Sequence, residues 1–170
     1  MNVYPIEAGN FKLDGGAMFG VVPKSLWTKT NPADADNMIE MSSRCMLVEN
    51  SDKLILVDTG MGDKQSEKFF KYYKRWGSDN LVKSINSAGF SIDDVTDVLL
   101  THLHFDHCGG AVAWDSSKEA YDVLFKNANY WSNEKHWDWA TSPNPREKAS
   151  FLDENLFPIK ESGQLNFINN

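Results

Sequence analysis

Residues 101–110 constrain this chain more than any other stretch. They read Thr101-His102-Leu103-His104-Phe105-Asp106-His107-Cys108-Gly109-Gly110, and they hold three of the chain's four histidines. Neutral imidazole and carboxylate are the donors that borderline divalent metals prefer. An apolar run over 95–100 precedes them and reads as a buried strand. If extended backbone continues past Leu100, His102 and His104 project to one side, because strand side chains alternate with period two. They can then grip one ion together. Asp106 and His107 follow the turn of the chain and can face a second ion beside the first. Gly109 and Gly110 permit a tight bend and close backbone approach where a side chain would clash. A lone histidine in such a loop would be ordinary surface. His-x-His-x-Asp-His after an apolar strand reads as a metal loop.

The rest of the chain supplies a scaffold in alternating pieces. Residues 3–12 read as a short strand, a Gly9-Asn10 turn and a second strand. Asp14-Gly15-Gly16 is a turn signal, and 17–22 is an apolar stretch closed by Pro23. Residues 26–37 are polar and turn-rich, a loop. Runs at 42–48 and 54–57 flank Asn50-Ser51-Asp52-Lys53, a hairpin with a four-residue loop. A helix is expected over 63–76, with Phe69, Phe70, Tyr73 and Trp76 on one face and Gly77 as its stop; that stripe reads as core. A shorter helix over 79–88 ends at Gly89. Residues 111–114 can open a helix after the metal loop. Residues 121–127 read as loop and bend, and 128–132 as a short strand. Ser132 or Asn133 then caps a helix carrying His136, Trp137 and Trp139. His136 has no partner ligand at suitable spacing there and reads as a half-exposed histidine packed among tryptophans. Asn144-Pro145-Arg146-Glu147 has the form of a helix start, with Ala149, Phe151, Leu152 and Leu156 on the buried side. Gly163 breaks that helix, and a last strand over 164–168 begins. Strands alternating with helices indicate an α/β layered domain, one domain over 1–170.

Composition narrows the classes of function. The net charge of −7 opposes a nucleic-acid surface or a polybasic membrane patch. No stretch has the length of a membrane-spanning helix. The N-terminus lacks the basic and apolar regions of a signal peptide, and two cysteines, Cys45 and Cys108, make no disulfide framework. A cytoplasmic protein acting on a small molecule, with no nucleic-acid or membrane partner, is the expectation.

The histidine stretch resembles the motif of the metallo-β-lactamase superfamily. Leu56-Val57-Asp58-Thr59-Gly60 is similar to that family's early strand and turn. Leu13-Asp14-Gly15-Gly16-Ala17-Met18-Phe19-Gly20-Val21-Val22-Pro23 resembles the opening of the branch that holds quorum-quenching lactonases and methyl-parathion-hydrolase-like enzymes. The resemblance implies an αββα sandwich, of which this chain looks like the N-terminal portion only. It implies a pair of metal ions, most simply zinc, with manganese, iron or cobalt as alternatives. It makes His102, His104, Asp106 and His107 the metal ligands, with Asp106 also catalytic. Asp58 would support the loop by taking the other N–H of a ligating histidine; a simple turn-starting aspartate is the plainer reading. Met18 and Phe19 would touch substrate; the plainer reading is a hairpin packed on the core.

In the family, a third histidine, a bridging aspartate and a further histidine complete the two metal positions from the second half of the domain. After His107 this chain holds only His136. It therefore reads as the first part of a family domain, stopping inside a strand.

The chemistry implied is hydrolysis by metal-bound hydroxide of a lactone, ester or phosphotriester, the lactonase-like opening favouring a lactone. Two ligands per ion fall short of the usual three for catalytic zinc, so weak metal binding and little activity are expected of the 170 residues alone. A non-catalytic half-domain and an iron-dependent sulfur dioxygenase are the alternatives. An apolar sheet face left open would favour a homodimer.

Overall fold

The longest pairing joins two strands separated by a 23-residue excursion. β1 (Asn2–Asp14) runs antiparallel to β2 (Met38–Asn50), from Asn2 opposite Glu49 to Asp14 opposite Met38. The Gly9-Asn10 signal is therefore not a hairpin turn. It is a bulge: the register shifts between Glu7 and Asn10, and Gly9 takes φ 131°. The strand continues because its partner is β2, not its own second half; an extra residue bends it without ending it.

The computed structural model describes residues 1–168. β3 (Lys53–Val57) pairs with β2 through a turn of two residues, Ser51-Asp52, since Asn50 pairs with Lys53. The expected four-residue loop is thus tighter, with Ser51 at φ 55°. Parallel pairing then adds β4 (Asp97–Leu99), β7 (Asn129–Ser132) and β8 (Leu165–Phe167), in the order β1-β2-β3-β4-β7-β8. β5 (Val112–Trp114) and β6 (Tyr121–Val123) form a separate two-stranded sheet. The expected helix at 111–114 and loop at 121–127 are therefore a hairpin, whose short strands carry no readable period.

Helices form where a cap and a buried face coincide. α4 (Leu81–Ser87) starts at Asn80, whose side chain accepts from Lys83 N, and buries Leu81 and Ile85. α6 (Glu134–Thr141) starts at Asn133 and buries Trp137 and Ala140. α3 (Glu67–Tyr73) is shorter than expected and stops at Lys74, in left-handed conformation, before Gly77 is reached. Asp14 caps a short helix, α1 (Gly15–Phe19), through Ala17 N at 2.8 Å, so the expected apolar stretch is helical at its start. A second short helix, α2 (Lys24–Trp27), begins the segment expected as loop. The Asn144 start does not propagate. Asn144 Oδ1 accepts from Arg146 and Glu147, but Glu147 also takes Trp139 Nε1 at 2.8 Å and Ala149 is exposed. Without a buried face one turn does not extend. A 3-10 turn follows, and α7 (Asp153–Glu161) begins later, burying Leu156 and Ile159.

The main core gathers Ile6, Leu47, Leu56, Ile85, Val98, Leu103, Tyr130, Leu156 and Ile159, each removed from water. Each such side chain contributes about 1.5–3 kcal/mol relative to exposure. A smaller cluster of Phe11, Met61 and Phe105, covered by Phe69, Phe70 and Tyr73 of α3, packs beside the histidine loop. Val57 pairs with Leu99 and Leu99 with Trp131. Parallel strands therefore place Asp58, the histidine loop and α6 together at one end of the sheet. Ligand sites of open parallel sheets lie at such carboxyl ends.

Candidate metal centre

The loop is fixed before any ligand is considered. Asp58 N donates to Leu99 O at 2.9 Å, and Thr59 N donates to His107 O at 2.8 Å. Gly110 N donates to Gly60 O at 3.0 Å. The two backbones approach so closely that a Cβ on Gly109 would lie 2.2 Å from Met61 O, and one on Gly110 2.2 Å from Thr59 O. The paired glycines thus dock the loop against residues 59–62. Lys64, 3% exposed, donates from Nζ to Gly109 O at 2.5 Å. That carbonyl follows α5 (Phe105–Cys108), a short helix whose C-terminal end favours a cation.

Three imidazoles meet on this frame. The ring centroids of His102 and His104 are 4.7 Å apart, and those of His102 and His107 3.9 Å. Asp106 Oδ2 lies 3.7 Å from His107 Nε2. Asp58 Oδ2 lies 2.9 Å from His107 Nδ1. An ionised carboxylate only accepts, so His107 Nδ1 carries the hydrogen and Nε2 keeps its lone pair. Thr101 spends its one hydroxyl proton on Asp58, at 2.8 and 3.0 Å from the two oxygens. His102 Nδ1, 3.2 Å from Thr101 Oγ1, must then donate to it. His102 also keeps Nε2 open. Asp58 thus orients two rings, one directly and one through Thr101.

Titration follows from these contacts. Burial pulls the Asp58 carboxyl up, and hydrogen bonds from His107 and Thr101 more than offset it, leaving it below the usual range. The Asp58 hydrogen bond raises His107, against burial. Burial pushes His102 down to about 4, with His107 and His104 adding to the effect. A neutral His102 is the form that can donate a lone pair.

Among the described residues, no three His, Cys, Asp or Glu side chains converge where an ion could sit. The donor chemistry fits a divalent metal, and the loop supplies it in short number. A cavity of about 140 Å³, lined by Phe11, Met41, Arg44, Asp58, Asp106 and His107 among others, opens beside these donors. A larger cavity, about 710 Å³, reaches Gly62 and Gly110 but none of the histidines. The smaller one is where chemistry and space coincide. Met18 and Phe19 line neither: Phe19 stacks on Trp27 at 5.0 Å, and Met18 is 44% exposed.

His136 is not turned into this cluster as a donor. Its Nε2 accepts from Leu103 N at 3.0 Å. The sequence gives no sign of that contact, because it depends on β7 lying beside β4. Thr101 and Lys64 are likewise tertiary roles without a local signature.

The model of the metallo-beta-lactamase superfamily matches residues 39–165, which span β2, the histidine loop and α7. The chain belongs to the metallo-beta-lactamase superfamily. Its curated relatives include an N-acyl homoserine lactonase of Bacillus cereus, 28% identical over 55% of this chain and 40% of that protein. A probable metallo-hydrolase of Mycobacterium tuberculosis is 31% identical over 55% of this chain and 35% of its own length. Among solved structures, a probable metal-dependent hydrolase from Staphylococcus aureus superposes with TM-score 0.89 at 29% identity, covering 99% of this chain and 59% of that one. AidC, a dizinc quorum-quenching lactonase in complex with a product, superposes with TM-score 0.70 at 25% identity, covering 98% and 57%. This family member thus spans less than half of those curated relatives and under three-fifths of those structures. Its sheet and helices match their mixed α/β fold. Among the described residues no helix is long and apolar enough to cross a membrane.

Proposed function

We propose that this chain carries the histidine-loop part of a metal-dependent hydrolase site acting on a lactone or related ester. One observation carries the reading. His102 and His107 both have Nδ1 engaged, by Thr101 and Asp58, which leaves two Nε2 lone pairs within one cluster of imidazoles. His102 and His104 would hold one ion; Asp106 and His107 would hold a second. Zinc suits this donor set, and manganese, iron and cobalt also match it. Such an ion supplies a nucleophile at neutral pH by lowering the pKa of its water from about 15.7 to near 7. The chain's own contributions are orientation and proton handling. Asp58 and Thr101 hold the rings, and Asp106 takes up and returns the proton that the leaving alkoxide needs. The likeness to an N-acyl homoserine lactonase and to a dizinc lactonase supports a lactone substrate and zinc.

Four donors shared between two ions give each fewer than the three protein ligands usual for catalytic zinc. Calorimetric titration of the chain with zinc is therefore expected to show weak binding, and tight stoichiometric binding would overturn that count. The chain covers 59% of the Staphylococcus aureus structure, so the remaining part of that protein can be fused after Ile168. The fusion is expected to bind zinc and open an N-acyl homoserine lactone, and His102→Ala with His104→Ala to abolish both. A fusion that binds zinc and leaves lactones and esters intact would sink the hydrolase reading. The lack of three convergent donors among the described residues also favours a second reading, a non-catalytic half-domain. Under it, the fusion would bind no metal.

A further inference from the structure

His136 touches the loop at the one residue lying between two candidate ligands. Leu103 is fully buried, and its N–H meets His136 Nε2 at 3.0 Å. Leaving a buried amide without an acceptor costs its full desolvation, so this contact fixes where the Leu103 peptide points. The orientation of that peptide sets the backbone on which His102 and His104 are carried, one residue to either side. The imidazole is itself held firmly. It rides on α6, which is anchored by Trp137 and Ala140 and capped by Asn133, whose Oδ1 accepts from His136 N at 3.2 Å. Phe151 packs against both sides of the arrangement, 4.8 Å from the His104 ring and 5.8 Å from the His136 ring.

We propose that His136 is a positioning residue, holding His102 and His104 on one side of the loop through the Leu103 peptide. It is not a metal ligand through Nε2, because that lone pair is spent on the amide. Its hydrogen is therefore on Nδ1. The role lies outside the histidine motif and comes from the strand next door: β7 pairs with β4, and α6 leaves β7 at the loop's level. A cross-element clamp of this kind keeps two loop donors together before any ion arrives, which lowers the ordering cost of binding.

The proposal rests on reading His102 and His104 as donors, and its first test needs no metal. In metal-free wild-type protein, NMR should detect coupling across the hydrogen bond from Leu103 N–H to His136 Nε2; a protonated Nε2 at neutral pH would overturn the proposal. His136→Leu removes the acceptor, and His136→Gln restores one at similar reach. In the Leu variant, exchange of the Leu103 amide should rise at least about tenfold beyond that of amides in β3 and β4. The nuclear Overhauser contact between the His102 and His104 rings should weaken. The Gln variant should keep both. An unchanged ring contact in the Leu variant, or a Gln variant no better than the Leu one, overturns the positioning role. Cobalt(II) titration forms the second arm, with affinity expected to fall about tenfold or more in the Leu variant and to recover in the Gln variant. Absence of cobalt binding in all three proteins would count against the metal reading alone, since the NMR arm decides the clamp.

Discussion

Asp58 Oδ2 stands 2.9 Å from His107 Nδ1, across a separation of 49 residues. The pair joins the end of β3 to α5, and Asp58 adopts φ 59° to make it. Left-handed backbone is unusual for a residue with a side chain, though aspartate tolerates it better than most. The strain is sustained because one carboxylate serves His107, Thr101 N and Thr101 Oγ1 together.

Asp58→Asn should uncouple orientation from packing. The amide nitrogen can face His107 Nδ1 only if that nitrogen accepts, which moves the hydrogen to Nε2 and blocks the lone pair. Zinc or cobalt affinity of the loop should fall about 10–100-fold, the usual cost of losing such a partner. In metal-free protein the pair also stabilises the fold. Asp58 titrates below its ordinary 3.8, so its contribution is full above that value and lost on acidification. His107 titrates above its ordinary 6.5, so its contribution is full below that value and lost as pH rises through the folded pKa. The difference between wild type and variant should therefore peak between these values. Its size should be about 1–2 kcal/mol, reduced by the partial exposure of His107. Urea unfolding across pH checks it, and a difference that keeps growing toward alkaline pH would contradict the pairing.

Gly110→Ala should be severe although it adds one methyl. The new Cβ would meet Thr59 O at 2.2 Å and Leu81 Cδ2 at 3.3 Å, and the backbone oxygen cannot rotate away. Overpacking of this kind costs about 1–3 kcal/mol or more. Gly20→Ala is a useful contrast in space, with nothing within 4 Å of its Cβ, although its φ of 56° adds a backbone penalty. Thermal melting should place the Gly110 variant well below the Gly20 variant. Equal melting points would mean that the loop does not dock on residues 59–62 as described.

What the sequence disclosed and what it withheld divide along a physical line. The β4 strand, the histidine loop and the glycine approach were legible because each is encoded by consecutive residues: apolar run, ligand-type side chains, then two residues without Cβ. α4 was legible from its stop at Gly89 for the same reason, while its cap at Asn80 came from the structure. The bulge in β1 was misread as a turn because only the distant β2 reveals that the strand continues. Ala111 to Trp114 looked ready to begin a helix, and became β5 because Val112 pairs with Val123. Of the site, the candidate donors are named by consecutive residues of the loop, while the contacts of Thr101, Lys64 and His136 depend on which strands lie side by side.

Tyr130→Phe should test how the small β5-β6 sheet is tied to the main one. Tyr130 is fully buried on β7; its hydroxyl accepts from Phe125 N at 3.0 Å and reaches Ala111 O at 3.3 Å. Removing the oxygen leaves a buried N–H without its acceptor, at about 1–3 kcal/mol. Chemical denaturation should show that loss with an unchanged slope against denaturant. A neutral substitution would mean that water replaces the hydroxyl.

Lys64 makes the prediction whose sign is least intuitive. Burial drives its pKa down to about 8 from 10.5, against upward pulls from Cys108, Glu154 and Asp63. Below about pH 8 the folded protein holds a nearly dehydrated cation, kept by the Gly109 carbonyl. Between the two values the unfolded chain binds the proton and the folded one does not, so this residue adds stability as pH rises through that window. A gap of about 2.5 units corresponds to about 3 kcal/mol. Lys64→Met removes the titration and keeps much of the volume. Measured by urea unfolding from about pH 7.5 to about pH 10.5, wild type should gain roughly that amount on the variant. Subtraction cancels Cys45 and the tyrosines, which titrate in both proteins, while Cys108 is coupled to Lys64 and belongs to the measured difference. A difference that stays flat across the window would mean that Lys64 reaches water, and would remove it from the support of the histidine loop.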